Sequence, residues 1–253
     1  VSDLIQRGGT FLGTARSKSF MTPEGRKTAF ENLRKRGIEG LVIIGGDGSL
    51  TGGSMMSRET GMPIVGLPGT IDNDVWGMDY TIGCDTACNT IVDAINKLRD
   101  TASAHRRIIL VEVMGRHSGW LAMMSGIAGG AEFILVPEVA YDLEEISIEL
   151  QEMYDRGKRY SIIVVAEGAG SAIEIGKIIS EKTEIDTRVS VLGHIQRGGS
   201  PTVEDRIKAS MLGEKAALAV ISGINDVVFS FNEGQVVSVN LFEAVNNKKT
   251  LDP

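Results

Sequence analysis

Five short apolar runs, each followed by a polar turn, place the strongest constraint on how this chain folds. The runs cover residues 41–44, 63–67, 108–113, 161–166 and 188–192. Continuously apolar runs of this length are typical of strands buried on both faces of a parallel sheet. Helical patterns cover 86–100 and 143–154 between these runs and 204–220 after them, and before the first run Thr22 is placed to cap a helix that closes at Arg34-Lys35-Arg36. We predict an α/β fold in which strands and helices alternate throughout.

Composition excludes several classes of protein. The 253 residues are 42% hydrophobic and 23% charged, as expected of a globular protein with real cores. The net charge of -7 argues against nucleic acid or an anionic membrane as a partner. No apolar stretch approaches the ~20 residues of a membrane helix, and Cys84 and Cys88 do not have the spacing of a redox or zinc pair. We expect a soluble protein of the cytoplasm.

The turn after the first run carries one carboxylate among glycines, Gly45-Gly46-Asp47-Gly48-Ser49. Glycines let a backbone approach phosphate closely, and an aspartate among them can hold Mg²⁺. The Gly-Lys-Ser/Thr of a Walker A loop is absent. A plain strand-to-helix turn with a capping aspartate stays open as an alternative.

The turn after the second run carries two carboxylates, Asp72 and Asp74, on either side of Asn73. In an extended backbone, side chains two residues apart point the same way, so both carboxylates are expected to face one ligand. Two carboxylates that close repel each other, so the pair indicates a base beside a metal ion or an orienting partner. A solvated Asp-Asn-Asp turn is the alternative.

Three more turns add cationic and acidic groups. Arg116 follows the third run, Glu167 the fourth, and His194 and Arg197 the fifth. A guanidinium among glycines suits oxyanion recognition, although any single arginine can equally form a surface salt bridge. Taken together, an aspartate for Mg²⁺, a candidate base and several arginines predict phosphoryl transfer.

The motifs together resemble the bacterial-type, ATP-using branch of the phosphofructokinase family. The resemblance runs from Arg7-Gly-Gly-Thr10 to about Lys249 through Gly-Gly-Asp-Gly-Ser, Pro-Gly-Thr-Ile-Asp-Asn-Asp, Met-Gly-Arg-His, Ala-Glu-Gly and Leu-Gly-His-Ile-Gln-Arg-Gly-Gly. It implies two Rossmann-like lobes with mostly parallel sheets and helices on both faces. Residues 1–83 and 196–253 are then the ATP-side lobe and 84–195 the sugar-side lobe. The family's first βα unit is expected upstream of anything in this chain.

The resemblance also implies an activity, the phosphorylation of fructose 6-phosphate to the 1,6-bisphosphate with MgATP. Asp72 would be the general base, supported by Thr70, Asp74 and Arg116. The residues implied for the sugar phosphate are Arg107, Met114, Gly115, Glu167, Arg188, His194 and Arg197. Those implied for the nucleotide are Arg16, Ser17, Gly46, Asp47, Gly48 and Ser49, with Asp47 holding Mg²⁺.

Further expectations concern the donor, the assembly and control. Members that use pyrophosphate generally have Asp at the position of Gly48 and Lys at that of Gly69, so glycine at both favours ATP. Arg107 and Arg188 match a pair that reaches the substrate from a neighbouring subunit, which implies a homotetramer. An effector site for ADP or phosphoenolpyruvate would use Arg99, Gly130, Glu132, Arg156 and Lys158. A pyrophosphate-dependent enzyme and a noncatalytic binding subunit are the alternatives, with a lipid or NAD kinase more distant.

Overall fold

The computed structural model describes residues 3–251 and contains eight strands and eight α-helices within them. The strands are β1 Leu41–Gly45, β2 Ile64–Pro68, β3 Ile108–Val113, β4 Phe133–Leu135, β5 Ser161–Ala166, β6 Thr187–Val191, β7 Val227–Asn232 and β8 Gln235–Asn240. The helices are α1 Pro23–Lys35, α2 Asp47–Thr60, α3 Cys84–His105, α4 Trp120–Ala128, α5 Leu143–Asp155, α6 Ala172–Thr183, α7 Val203–Ile221 and α8 Leu241–Asn246. Two 3-10 helices cover Ser19–Met21 and Gly193–Arg197.

The chain divides into two compact units. Within the described residues, the first comprises 3–70, 74–83 and 201–249, and the second 71–73, 84–200 and 250–251. Residues 1–2 and 252–253 lie outside the described part of the chain. The assignment of one lobe to ATP and the other to the sugar phosphate stays a prediction.

The first unit holds a four-stranded sheet in the order β1-β2-β7-β8. β1, β2 and β7 are parallel, whereas β7 and β8 form an antiparallel hairpin. Ile64 of β2 packs with Leu50 and Met56 of α2 on one face, and Val65 packs with Leu212 of α7 on the other. The alternation of side chains along β2 therefore requires helices on both faces. The expected alternation of strand and helix throughout the chain is wrong at the β7–β8 hairpin.

The second unit holds a parallel sheet in the order β4-β5-β3-β6. Ile109 and Val111 of β3 belong to a core with residues of α3 and α4, and Leu110 belongs to a core with residues of α5 and α6. β3 and β5 have the bounds predicted from their apolar runs. Both sheets thus confirm the predicted α/β fold, with mostly parallel strands and helices on both faces.

Within residues 3–251, every helix is too short or too polar to cross a bilayer.

Candidate active site

In the first unit, Asp47 is the first residue of α2 and lies directly beyond β1. The predicted glycine turn is therefore shorter than expected, because the chain enters the helix at Asp47. The N-cap residue is Gly46, whose lack of a side chain means that no side-chain hydrogen bond caps the helix. The alternative of a capping aspartate is wrong. Ser49 N–H donates to the Gly46 carbonyl at 3.0 Å, so the N–H groups of Asp47 and Gly48 are the ones available to an anion.

The end of β2 lies beside this helix start within the same unit. β1 and β2 pair in parallel with Gly45 opposite Pro68, and Gly69 N–H donates to the Gly45 carbonyl at 3.0 Å. A Cβ built on Gly46 would lie 3.1 Å from the Thr70 Cβ. The structure therefore brings Thr70 next to the Asp47 turn, as the sequence predicts for the ends of neighbouring parallel strands.

Asp47 is suited to a Mg²⁺ site to which the protein contributes a single carboxylate. Its side chain is exposed, and its described partner is Thr51 Oγ1, at 3.5 Å. No cluster of three or more His, Cys, Asp or Glu side chains within residues 3–251 could form an all-protein metal cage. Mg²⁺ commonly takes one or two carboxylates and completes its shell with water and substrate phosphates. A single exposed aspartate beside an uncapped helix N-terminus suits that mode.

The other residues predicted to bind the nucleotide lie in two segments. Gly48 and Ser49 continue the first turn of α2 and are exposed. Arg16 and Ser17 lie in the irregular segment before the first 3-10 helix, where the Ser17 hydroxyl contacts the Ser19 hydroxyl at 2.9 Å. Among the described hydrogen bonds and ion pairs, none joins Arg16 to the Asp47 turn.

The segment of the two aspartates does not run as the sequence analysis assumed. Asn73 has a φ of 51°, in the left-handed region, so the backbone between Asp72 and Asp74 is not extended. The rule that side chains two apart share a direction does not apply across such a residue. Asp72 groups with the second unit, and Asp74 with the first. The prediction that both carboxylates face one ligand assumed an extended backbone, and that assumption is wrong.

In the second unit, the turn after β3 is held by side chains from three other segments. Met114 N–H donates to Gln196 Oε1 at 3.1 Å, and Arg116 N–H donates to Glu167 Oε1 at 2.8 Å. Gly119 N–H donates to the Glu138 carboxylate at 2.9 and 3.1 Å. The residues that follow β4, β5 and β6 thus converge on one turn, because the carboxyl ends of parallel strands meet at one sheet edge.

This turn has a strained backbone that its sequence explains. Gly115 has a φ of 134°, and a Cβ there would lie 2.3 Å from the Ser118 carbonyl oxygen. Arg116 has a φ of 54°, which few side chains adopt. The Ser118 hydroxyl donates to the Asp72 carbonyl at 3.3 Å. The turn that presents the exposed Arg116 is therefore also bonded to the backbone of the predicted base.

Two predicted substrate arginines lie at the opposite edge of the same sheet. Arg107 precedes β3 and Arg188 is the second residue of β6. Both pair with Asp186, Arg107 Nε at 2.5 Å and Arg188 through its guanidinium at 3.0 Å. Hydrogen bonding to Arg107, followed by the charges of Arg107 and Arg188, holds the pKa of Asp186 below its usual value. One copy of this unit does not bring these arginines to Met114, Glu167, His194 and Arg197.

The predicted effector residues take part in three separate contacts within the second unit. The Arg99 guanidinium donates to the carbonyls of Gly129 and Gly130. Lys158 pairs with Glu132 at 2.7 Å. Arg156 is the C-cap residue of α5 and forms an exposed ion pair with Glu152 at 3.9 Å. Arg99, Lys158 and Arg156 therefore each have a partner within the second unit.

Sequence reasoning missed three residues that hold the turn after β3 in place. Gln196 stands inside a quoted motif between two predicted site residues, and Ser118 directly follows the Met-Gly-Arg-His motif, so both positions were usable signals. Glu138 had no comparable signal, since only the fold brings the segment after β4 to the N-terminus of α4.

Comparisons with known proteins identify the family. The Phosphofructokinase family model matches residues 1–220. The chain is 53% identical over 253 residues to an ATP-dependent 6-phosphofructokinase of Bacillus velezensis and 54% identical over 252 residues to one of Bacillus pumilus. It matches along 100% of its own length and 79% of each relative.

Solved structures agree. A phosphofructokinase of Saccharomyces cerevisiae superposes with a TM-score of 0.87 at 38% identity, covering 95% of this chain and 37% of the yeast chain. A pyrophosphate-dependent phosphofructokinase of Marinobacter aquaeolei, at 22% identity and a TM-score of 0.84, covers 96% of this chain and 68% of its own and shares the fold. The chain belongs to the phosphofructokinase family.

Proposed function

We propose that this chain acts as an ATP-dependent 6-phosphofructokinase. The 1-hydroxyl oxygen of fructose 6-phosphate attacks the γ-phosphorus of ATP, the bond to the β,γ-bridging oxygen breaks, and the hydroxyl proton passes to a base. The products are fructose 1,6-bisphosphate, ADP and a proton. The observation that carries this proposal is 53–54% identity, along the whole chain, to relatives with that name.

The start of α2 is the proposed phosphate site. The backbone N–H groups after Gly46 and the positive end of the helix dipole attract the anionic nucleotide. Asp47 would hold Mg²⁺, which would offset the negative charge that develops on the phosphates during transfer. Thr70 lies beside this turn and supports the same phosphates. Gly48, Ser49, Arg16 and Ser17 complete the proposed nucleotide set.

Asp72 is the proposed base. An aspartate with a usual pKa near ~3.9 is a weak base, so it orients the hydroxyl and accepts its proton late in the transfer. Asp74 supports it. Arg116, held exposed by the turn after β3, stabilises charge on the transferring group.

The sugar phosphate is proposed to bind at the carboxyl edge of the second sheet, through Met114, Gly115, Glu167, His194 and Arg197. Arg107 and Arg188 lie at the amino edge of that sheet. They therefore serve the site of another copy of the chain, which requires a symmetric assembly, here a homotetramer. ADP or phosphoenolpyruvate as effector, at Arg99, Gly130, Glu132, Arg156 and Lys158, and a cytoplasmic location complete the proposal.

Turnover with each donor tests the function. We expect formation of fructose 1,6-bisphosphate with Mg²⁺ and ATP, little product with Mg²⁺ and pyrophosphate, and loss of activity by orders of magnitude in Asp72→Asn. Asp93→Asn, in an exposed ion pair with Lys97 on α3, is the matched control and should keep full activity. Product with pyrophosphate but not ATP would assign the other donor. No product with either donor from a folded sample would reject the enzyme.

A further inference from the structure

We propose that Gln196 is a positioning residue that sets how His194 and Arg197 are presented to the sugar phosphate. This inference rests on the proposed function, because it concerns the same site. Gln196 was not among the residues that the sequence pointed to, and it lies between two that were.

The geometry of the 3-10 helix Gly193–Arg197 separates these side chains. A 3-10 helix has three residues per turn, so side chains at positions i and i+3 eclipse. His194 and Arg197 therefore lie on one side of the helix, and both are exposed. Gln196 points elsewhere and is only 1% exposed. The direction of the buried side chain thus determines the direction of the two exposed ones.

Both ends of the Gln196 amide are bonded to the main chain. Oε1 accepts from Met114 N–H at 3.1 Å, and Nε2 donates to the Gly193 carbonyl at 2.9 Å. Because Met114 N–H can only donate and the carbonyl can only accept, a single orientation of the amide satisfies both. The contact therefore specifies one geometry, which general apolar packing would not.

The backbone around this helix does not by itself fix the direction of its side chains. Gly193, the first residue of the helix, has a φ of 53°, and Gly199, two residues beyond its end, has a φ of 97°, so each end of the segment carries a glycine in a left-handed conformation. β6 ends at Val191, and Leu192 N–H donates to the Glu112 carbonyl at 3.1 Å. Gln196 continues this attachment beyond the strand. It joins the helix to the turn that carries Met114, Gly115 and Arg116.

The side chains of the motif at 193–199 therefore have two different roles, substrate binding and positioning. His194 and Arg197 contact the substrate, and Gln196 keeps them at a fixed distance from Met114 and Arg116. A displacement of about 1 Å in such groups is enough to reduce binding or rate by one to two orders of magnitude.

The test compares two variants that each remove a buried polar group. Gln196→Met keeps the side-chain volume and deletes both hydrogen bonds. Thr183→Val, near the C-terminus of α6, also deletes one donated bond, to the Ile179 carbonyl at 2.8 Å, and one accepted bond, from Ile185 N–H at 3.3 Å. Thr183 lies in the same unit and is similarly buried. The Kd of fructose 6-phosphate is measured by calorimetry, and turnover with MgATP is measured separately.

We expect Gln196→Met to raise the Kd and KM of fructose 6-phosphate about tenfold or more, with the KM of ATP changed by less than about twofold. Thr183→Val should lower stability and leave the Kd unchanged. If Gln196→Met does not fold, Gln196→Glu replaces it, because it keeps the acceptor for Met114 N–H, removes the donor for Gly193, and is expected to raise Kd as well.

Three results would overturn the inference: an unchanged Kd in the folded Gln196 variant, an equal rise of Kd in Thr183→Val, or no binding of fructose 6-phosphate by the wild type. Failure of the proposed function is seen separately, as sugar binding without turnover. In that case the ratio of Kd values still decides the role of Gln196.

Discussion

The carboxylate of Asp186 accepts a hydrogen bond from Arg107 Nε at 2.5 Å, across the amino ends of β3 and β6. The hydrogen bond to Arg107 is the main reason that the pKa of Asp186 lies below its usual value, and the charges of Arg107 and Arg188 add to it. This carboxylate is therefore more strongly stabilised as an anion in the folded chain than in the unfolded one.

The pH dependence of stability should report this pair. A depressed pKa contributes stability above the unfolded value of about 3.9, and that contribution is lost as the pH falls from about 5 through the folded pKa. In Asp186→Asn we expect a lower urea midpoint at pH 7, and a difference from wild type that shrinks toward pH 3. Asp93→Asn controls for the removal of one negative charge and should change the midpoint little. A difference for Asp186→Asn that does not vary with pH would contradict the assignment.

Ser118→Ala tests whether the turn after β3 positions the predicted base. Ser118 is buried, and its hydroxyl donates to the Asp72 carbonyl at 3.3 Å. Without that bond the backbone at Asp72 is less constrained, so we expect kcat to fall about tenfold while KM for both substrates stays within about twofold. Steady-state kinetics measures both. Ser125→Ala removes a buried hydroxyl that bonds within α4, and it should leave kcat unchanged.

Gly48→Asp tests the basis of donor choice. A Cβ at Gly48 would meet no atom within 4 Å, and its φ is not in the left-handed region, so the fold tolerates a side chain there. A carboxylate at the start of α2 interacts favourably with the helix dipole but repels the nucleotide phosphates. We expect unchanged or higher stability and a KM for ATP raised about tenfold or more. Gly48→Ala, which adds no charge, should change KM little; an equal effect would indicate steric exclusion instead of charge.

Gly69 has a structural reason to be glycine that is separate from the donor. A Cβ there would lie 3.0 Å from Ile44 Cγ2 and 3.2 Å from the Gly45 nitrogen. We expect Gly69→Ala to lower the free energy of unfolding by about 1–3 kcal/mol through overpacking against β1. Urea unfolding measures this, with Gly48→Ala as the unstrained counterpart. A stability equal to wild type would show that β1 yields to the added methyl group.

How much of this fold the sequence predicts depends on how local the cause is. β3 and β5 were predicted to the residue, because a strand buried on both faces needs a continuous apolar run. The β7–β8 hairpin was missed, although its two-residue turn, Glu233-Gly234, has the positive φ values of a tight hairpin. α2 was also missed. It contains Gly52 and Gly53, and a Cβ at Gly53 would lie 2.5 Å from Ile43 Cδ1, so close packing required a residue of low helix propensity.

The candidate site shows the same division. The positions of Asp47, Thr70, Arg116 and Glu167 at strand ends follow from parallel sheets. The conformation of Asn73 does not follow from any periodicity, because it is a single residue in the left-handed region. The support that Gln196 and Glu138 give to the turn after β3 depends on segments brought together only by the folded sheet.

Asp205→Ala tests a buried carboxylate that joins the beginning of α7 to the residues before α3. Asp205 is 2% exposed and accepts hydrogen bonds from the Tyr80 hydroxyl and from Gly83 N–H, the latter at 2.7 Å. Its removal deprives the buried Tyr80 hydroxyl and the half-buried Gly83 N–H of this acceptor, at a cost of about 1–3 kcal/mol for each that finds no other. Tyr80→Phe removes only the first donor and leaves the Gly83 bond intact. We therefore expect the free energy of unfolding, measured with urea, to fall further in Asp205→Ala than in Tyr80→Phe. Equal losses in the two variants would mean that the bond to Gly83 contributes no stability, and that Asp205 acts through Tyr80 alone.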